Sequence, residues 1–281
     1  MKKATFNFLF AMAIFGTIGL FVDAIPLNSG AVALFRGVLG LAFLLIATVV
    51  SGRKLRMNVI RKDLTLLCIS GVAMGANWVL LFEAYHHTTV ATATVCYYLA
   101  PAILMLASPL LGEKLTARKI LCLLACLVGM VLVSGFDGGS ATGILFGVGA
   151  AILYATVMFL NRKIHHVNDY ERTVTQMAAS VPVLACYVLL RGGVDVSAMG
   201  LTQWVLMAVV GIVHTGFAYY LYFGALGKLP ASTVAVCSYL DPVVAVLLSA
   251  ILIAPIGIPA ICGAVLILGS TLVGQLKMDN G

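Results

Sequence analysis

Two ionisable side chains stand deep within long apolar stretches of this sequence of 281 residues. Asp241 follows about ten apolar residues and His214 about thirteen, so at the helical rise both lie near the middle of a membrane-crossing helix. A buried carboxylate and imidazole can carry a proton, and the carboxylate can bind a cation. The alternatives are that Asp241 caps backbone groups freed by Pro242, and that His214 is merely hydrogen-bonded.

Three more charged residues are expected to lie together toward the outer side of the membrane. Arg36 is set within the second stretch, Glu83 ends the third and Asp23 ends the first. One interpretation makes Arg36 an anion clamp or an outer gate, with Glu83 as part of the gate. The other pairs Arg36 with Asp23 or Glu83 in a bridge that only neutralises the arginine.

Aromatic and amide side chains accompany these charges. The set expected to line a binding site is Trp78, Tyr98, Tyr219, Tyr239 and Asn77. Such rings can hold an organic cation or an apolar metabolite. They could equally form an interfacial belt, and Tyr222, near the inner surface, is expected to be a belt residue.

The elements that must position these residues are membrane helices. Hydrophobic residues make up 62% of the chain and charged residues 10%, which excludes a soluble enzyme, a disordered chain and a secreted disulfide scaffold. Apolar runs of about 20 residues predict an all-α integral membrane protein with ten transmembrane helices. The expected spans are 5–22, 31–51, 64–84, 90–111, 118–135, 143–161, 173–190, 201–223, 231–252 and 256–275.

Loop charges predict the orientation in the membrane. The net charge is +7, and all but two of the 17 Lys and Arg residues fall in loops or termini on one side if the N-terminus is cytoplasmic. The exceptions are Arg36, within a span, and Arg191, in an outer loop. By the positive-inside rule, both termini are expected in the cytoplasm of a cell whose inner membrane holds the protein.

An internal repeat organises the ten spans. A displacement of 141 residues places Tyr98-Leu99-x-Pro101 on Tyr239-Leu240-x-Pro242. The units expected are 1–137 and 138–281, each with five helices, and an odd number of spans makes the second inverted relative to the first. Inverted repeats are typical of secondary transporters, whose site lies between the halves near the midplane. Pro101 and Pro242, each interrupting its helix, are expected to be pivots for rocking or else packing features.

The same segments resemble a known family. Phe82-Glu83-Ala84-Tyr85, Gly112-Glu113-Lys114-Leu115-Thr116 and Tyr239-Leu240-Asp241-Pro242 are similar to the EamA type of the drug/metabolite transporter superfamily, and Arg36 fits an arginine often found in its second helix. The resemblance implies ten helices, alternating access and, in most members, export of amino acids, other metabolites or toxic organic compounds. One departure is that Ile253-Ala254-Pro255 replaces the Gly-Glu pair in the second half.

The chemistry therefore favours a secondary active transporter that exports small metabolites or organic cations. The alternatives are an intramembrane enzyme, for which no G-x-S-x-G or H-E-x-x-H motif exists, and a sensor subunit, whose partner domain the short loops could not house. We expect a small-molecule substrate, the lipid bilayer and proton coupling as partners, and no nucleic acid, cofactor or metal. We expect a monomer, with a homodimer through Gly143-x-x-x-Gly147 as the alternative. Glu113 is expected to be solvated in a cytoplasmic loop.

Overall fold

A computed structural model describes residues 2–52, 54–135, 140–252 and 257–276. Within these ranges the chain forms α-helices joined by short turns, with a 3₁₀ turn at Ser108–Leu111 and a π-helical segment at Ile212–Phe217. The helices are α1 Lys2–Val22, α2 Ser29–Val50, α3 Met57–His87, α4 Val90–Tyr97, α5 Leu99–Leu106, α6 Ala117–Ser134, α7 Ala141–Lys163, α8 Asp169–Leu190, α9 Leu201–Gly211, α10 Ala218–Leu226, α11 Ala231–Ser238, α12 Leu240–Leu252 and α13 Ile258–Leu276.

The apolar helices make this a multi-pass membrane protein. Eight helical stretches in the described ranges are long and apolar enough to cross a bilayer, including Leu201–Leu226 across the π segment. Two shorter apolar stretches, Val90–Leu106 and Ile258–Val273, take the places expected for the fourth and tenth spans. Many large apolar side chains face outward, among them Val50 at 82% exposure and Leu190 at 87%, as expected where lipid is the solvent. The count of ten crossings stays a prediction.

Polar caps fix where several helices begin. The side chains of Asn28, Thr89 and Ser140 each accept a hydrogen bond from a backbone N–H in the first turn of the following helix. Asn168 forms a capping box with Glu171 at the start of α8. These bonds satisfy donors that a helix leaves unpaired at its N-terminus, where the bilayer offers no substitute.

Helix packing follows the internal repeat. Under the 141-residue displacement α1 corresponds to α7, α3 to α9–α10, and α5 to α12. Accordingly α1 packs against α10 and α12, whereas α7 packs against α3 and α5. The corresponding helices α6 and α13 pack against each other. The breaks after α4 and α11 fall on the equivalent residues Tyr98 and Tyr239.

Glycines allow the closest helix approaches. A methyl group at Gly143 would lie 2.5 Å from the Thr88 Cβ, and one at Gly147 would lie 2.8 Å from the Cys96 Cβ. The Gly143-x-x-x-Gly147 pair is therefore used inside the chain, between α7 and the region around α4.

Single-cysteine labelling tests the predicted orientation. We expect an impermeant thiol reagent to modify Ser140→Cys from outside intact cells and to leave Asn58→Cys unmodified until the membrane is opened, because the charge distribution puts their ends of the bundle on opposite sides. Both residues are exposed. The outer loop expected at 136–142 lies partly outside the described residues, so Ser140 is the reporter. The reverse labelling pattern would overturn the orientation.

Candidate functional site

A cavity of about 370 Å³ lies between the two repeats. Residues of α1 to α5 from the first repeat and of α7 and α10 to α12 from the second form its walls. Six residues expected at the site from the sequence line it, namely Arg36, Trp78, Tyr98, Pro101, Tyr219 and Asp241. The cavity extends to Asp23, an exposed residue just after α1.

Asp241 lies in the first turn of α12, just after the helix break at Tyr239. The Tyr98 hydroxyl donates to its Oδ2 atom at 2.7 Å. The Tyr239 hydroxyl donates to the Tyr98 carbonyl oxygen at 2.8 Å. The two repeat-equivalent tyrosines are therefore hydrogen-bonded to each other, but their hydroxyl groups have different acceptors. The Tyr98 hydroxyl reaches a carboxylate, whereas the first-repeat counterpart of Asp241 is the uncharged Ala100.

The prolines explain why the chain breaks there. Pro101 and Pro242 have no N–H, so the carbonyl groups of Tyr97 and Ser238, four residues earlier, lose their helical donors. In each repeat the short first helix ends four residues before the proline, and the second helix begins two residues after that end. This geometry turns the Tyr98 and Asp241 side chains toward each other at the interface of the repeats.

Arg36 also lines the cavity. Its guanidinium carbon stands 4.3 Å above the Trp78 ring centroid, and the Trp78 and Tyr219 rings are 5.8 Å apart. Its buried Nε atom has no hydrogen-bond partner, and Arg36 forms no salt bridge with the other described residues. Within the described residues, the Arg36 guanidinium thus lines the cavity without a salt bridge.

Glu83 does not neutralise Arg36, contrary to one of the two interpretations of the sequence. It forms an ion pair with Arg191, accepts a hydrogen bond from the Tyr187 hydroxyl at 2.8 Å and lies 3.8 Å from His87. These partners hold its carboxylate, which is 8% exposed, at the edge of α8. The hydrogen bond and charge of Glu83 raise the pKa of the Arg191 guanidinium.

His214 lies away from the cavity, in the π-helical segment. Its Nε2 atom is hydrogen-bonded to the Thr17 hydroxyl at 2.8 Å, and that hydroxyl lies 2.7 Å from the Ile14 carbonyl oxygen. The ring also packs against Phe21 at 4.9 Å. The contact with Asp241 that equal depth allowed is not formed, since no bond joins the two in the described part of the chain.

The cavity lining does not include three residues expected at the site, namely Asn77, Tyr239 and Pro242. The Asn77 amide donates to the Ala150 carbonyl oxygen at 2.6 Å, which ties α3 to α7. Tyr222, expected in an interfacial belt, is fully buried in the core, so that prediction is wrong. Helix length placed it near the surface, but neighbouring aromatic rings of α1 and α10 cover it.

The sequence did not single out Tyr85, Tyr154 and Ser238, which also line the cavity. Tyr154 stacks on Tyr97 with ring centroids 5.2 Å apart. No charged residue near Tyr154 in α7 distinguished it from core aromatics. The available signal was its spacing, since Tyr154 lies seven residues after Gly147 and therefore on the same face of the helix.

Comparisons with known proteins agree with this architecture. The model of the EamA-like transporter family matches residues 2–135 and again residues 141–273. The chain belongs to the EamA-like transporter family. It is a membrane transporter of the drug/metabolite transporter superfamily, built from two copies of the family's unit.

Relatives carry few functional names. An "Uncharacterized transporter YxxF" of Bacillus subtilis (strain 168) is 29% identical over 89% of this chain and 82% of its own length. "Protein RarD" of Salmonella typhi is 27% identical over 67% of this chain and 64% of its own. One crystal structure with 22% identity superposes with a TM-score of 0.84 over 99% of both chains, which establishes the same fold.

Arg36 and Arg191 are expected to differ in what their loss changes. Arg191→Ala should lower the melting temperature, since it leaves the buried Glu83 without its cation. Arg36→Ala should leave folding nearly intact and reduce ligand binding. Thermal unfolding of both purified variants, with and without ligand, separates these effects. A larger loss of stability in Arg36→Ala than in Arg191→Ala would instead support the interpretation that Arg36 pairs with a buried acid.

Proposed function

We propose that this transporter is a secondary carrier that exports small amphipathic metabolites, such as amino acids, related zwitterions or organic cations, by alternating access. The observation that carries the proposal is the cavity between the repeats, which is lined by Asp241, by Arg36 and by aromatic rings. Its volume is at the small end of the range for small-molecule sites, which suits a ligand of amino-acid size.

The charges of the cavity support a ligand with both signs. Asp241 would hold an ammonium group, since its Oδ2 atom receives one hydrogen bond from Tyr98 and other lone pairs remain. Arg36 would hold a carboxylate, because an arginine fork suits that group. Trp78 and the tyrosines would cover the ligand's apolar body. A simple organic cation would use Asp241 and the rings without Arg36.

The shape of the cavity supports an outward-open state. It runs from Asp241 to the exposed Asp23, which lies at the end of the bundle predicted to face outward. A second state open to the cytoplasm completes the cycle in this proposal. Exchange of a proton for the ligand's ammonium group at Asp241 would couple export to the proton gradient of the inner membrane.

Counterflow in proteoliposomes tests the proposal. Vesicles loaded with unlabelled amino acids, polyamines, quaternary amines or nucleosides receive a trace of the labelled compound outside. A carrier accumulates label transiently without any gradient, whereas an enzyme or a sensor subunit does not. A thermal-shift screen of the purified protein selects the compounds, because bound ligand raises the apparent stability. Absence of counterflow for every stabilising compound would overturn the proposal.

A further inference from the structure

The Glu113 side chain joins the two repeats at the end of the bundle predicted to be cytoplasmic. Its Oε1 and Oε2 atoms accept hydrogen bonds from the Ala231 backbone N–H at 2.7 and 2.9 Å. Its Oε1 atom also receives a bond from the Arg162 guanidinium at 2.5 Å. The expectation of a solvated loop residue is therefore wrong, because the carboxylate is occupied by partners from the other repeat.

Local structure places Glu113 under the second repeat. Gly112 adopts a φ of +80°, a left-handed conformation that glycine tolerates best, and so ends the 3₁₀ turn. Glu113 then meets the first residue of α11, where a helix presents unpaired N–H groups and positive charge. Arg162 also donates to the Leu229 carbonyl oxygen, just before α11. The Gly112-Glu113 motif is thus a cap on a helix in the opposite repeat.

The helix that Glu113 caps leads directly to the cavity. α11 has eight residues and ends at Ser238, a cavity-lining residue next to the break that precedes Asp241. Movement at the Ala231 end therefore reaches the break through a single short helix. This connection links the cytoplasmic end of the bundle to the candidate site.

Two further ion pairs join the repeats at the same end. Arg56 pairs with Glu171 at 2.8 Å, and His166 pairs with Asp63 at 2.9 Å. Glu113 differs from them in capping α11, the short helix whose other end, at Ser238, adjoins the break beside Asp241. A fourth contact, between Lys228 and Asp169, lies wholly within the second repeat.

The corresponding position at the opposite end has no acid. The residue displaced by 141 from Glu113 is Ala254, in the segment Ile253-Ala254-Pro255. The start of α4, which corresponds to the start of α11, is capped by Thr89 from its own chain segment. At that end Glu83 joins the repeats through Arg191 and Tyr187 and does not cap α4, so a carboxylate that caps the short helix before the break is encoded for one repeat. The cavity extends to the other end, where Asp23 is exposed.

We propose that Glu113 is the cytoplasmic gate of this carrier. While its carboxylate caps α11 and pairs with Arg162, the cytoplasmic end is shut and the cavity opens outward. Release of Glu113 from Ala231 frees α11 to tilt at its break and opens the cavity to the cytoplasm. The inference rests on the alternating access of the proposed function and adds the residue that decides between its two states.

A cysteine at Gly19 can report which side the cavity faces. Gly19 lines the cavity, and a Cβ atom added there has nothing within 4 Å. A charged, impermeant methanethiosulfonate is applied to right-side-out and to inside-out vesicles that contain Gly19→Cys. Peptide mass spectrometry reads modification at this site apart from the native cysteines. We expect faster modification from outside.

Adding Glu113→Gln should shift the ratio of outside to inside modification rates by about tenfold or more toward the inside, because hydrogen bonds to a charged group are the strong ones. The glutamine amide keeps the shape, but its NH₂ group faces donors. The matched control is Asp169→Asn. Asp169 lies at the same end, but its ion pair with Lys228 stays within the second repeat, so its loss should leave the ratio unchanged.

An unchanged ratio in folded Glu113→Gln overturns the gate. Should that variant fail to fold, Arg162→Gln in the same assay decides, and loss of folding in both makes the clamp a static support and likewise overturns the gate. Counterflow by the Gly19→Cys parent is measured in the same membranes. Absent counterflow there defeats the proposed carrier, whereas normal counterflow with an unchanged ratio defeats the gate alone.

Discussion

The Asp241→Asn variant is expected to lose transport of any cationic or zwitterionic substrate by about a hundredfold or more, because breaking a buried charge pair costs about 3–5 kcal/mol. Its fold should survive, since the asparagine carbonyl can still accept the bond from the Tyr98 hydroxyl. Two measurements check this result. They are counterflow of the substrate and uptake into vesicles driven by a pH gradient.

Asp23→Asn is the matched control for that experiment. Asp23 lines the same cavity, but it is exposed at the mouth, where water screens its charge. Its loss should change transport by less than about threefold, in line with the small energies of exposed charge pairs. If Asp241→Asn retains both exchange and the response to the pH gradient, Asp241 only caps the backbone groups freed by Pro242.

Gly16→Ala is expected to destabilise the protein by about 1–3 kcal/mol and to reduce transport, because the added methyl group overfills a tight contact. Its Cβ atom would lie 2.5 Å from the Asp241 carbonyl oxygen and 2.7 Å from the Val244 Cβ atom. Backbone cannot yield as a flexible side chain can. The change therefore has to push α1 away from α12 and displace the residue proposed to bind substrate. Thermal unfolding and counterflow measure the two effects.

Gly19→Ala, one turn further along α1, is the control. Nothing lies within 4 Å of its added Cβ atom, and alanine favours a helix over glycine by up to about 1 kcal/mol. This variant should therefore unfold no earlier than the parent and transport as well. Equal behaviour of the two variants would mean that the α1–α12 contact is not tight in the membrane.

Much of the fold was predictable because its causes are local. Apolar runs, loop charges and the repeated Tyr-Leu-x-Pro segment predicted helices close to the observed ones, and proline chemistry explains the breaks at Tyr98 and Tyr239. The third span proved longer than expected, as α3 begins at Met57. Hydropathy cannot detect its polar first turns, which lie beyond the apolar run.

The candidate site was predictable in composition and less so in geometry. Asp241, Tyr98, Trp78 and Arg36 were identified because polar groups in apolar spans are costly and need a reason. Hydropathy predicted their depth, and equal depth made a contact between His214 and Asp241 possible. The structure instead separates them, since His214 faces Thr17 on α1.

The sequence by itself determined a membrane protein of two repeated units with charged and aromatic side chains in its apolar helices, because hydropathy and repetition are properties of the chain. The tertiary structure alone decided partnerships. In the structure Glu83 pairs with Arg191, Arg36 lines the cavity, and Glu113 caps the first residue of α11. The physical reason is rotation. Each residue turns a helix by about 100°, so residues of equal depth can face different neighbours until packing sets each helix's orientation.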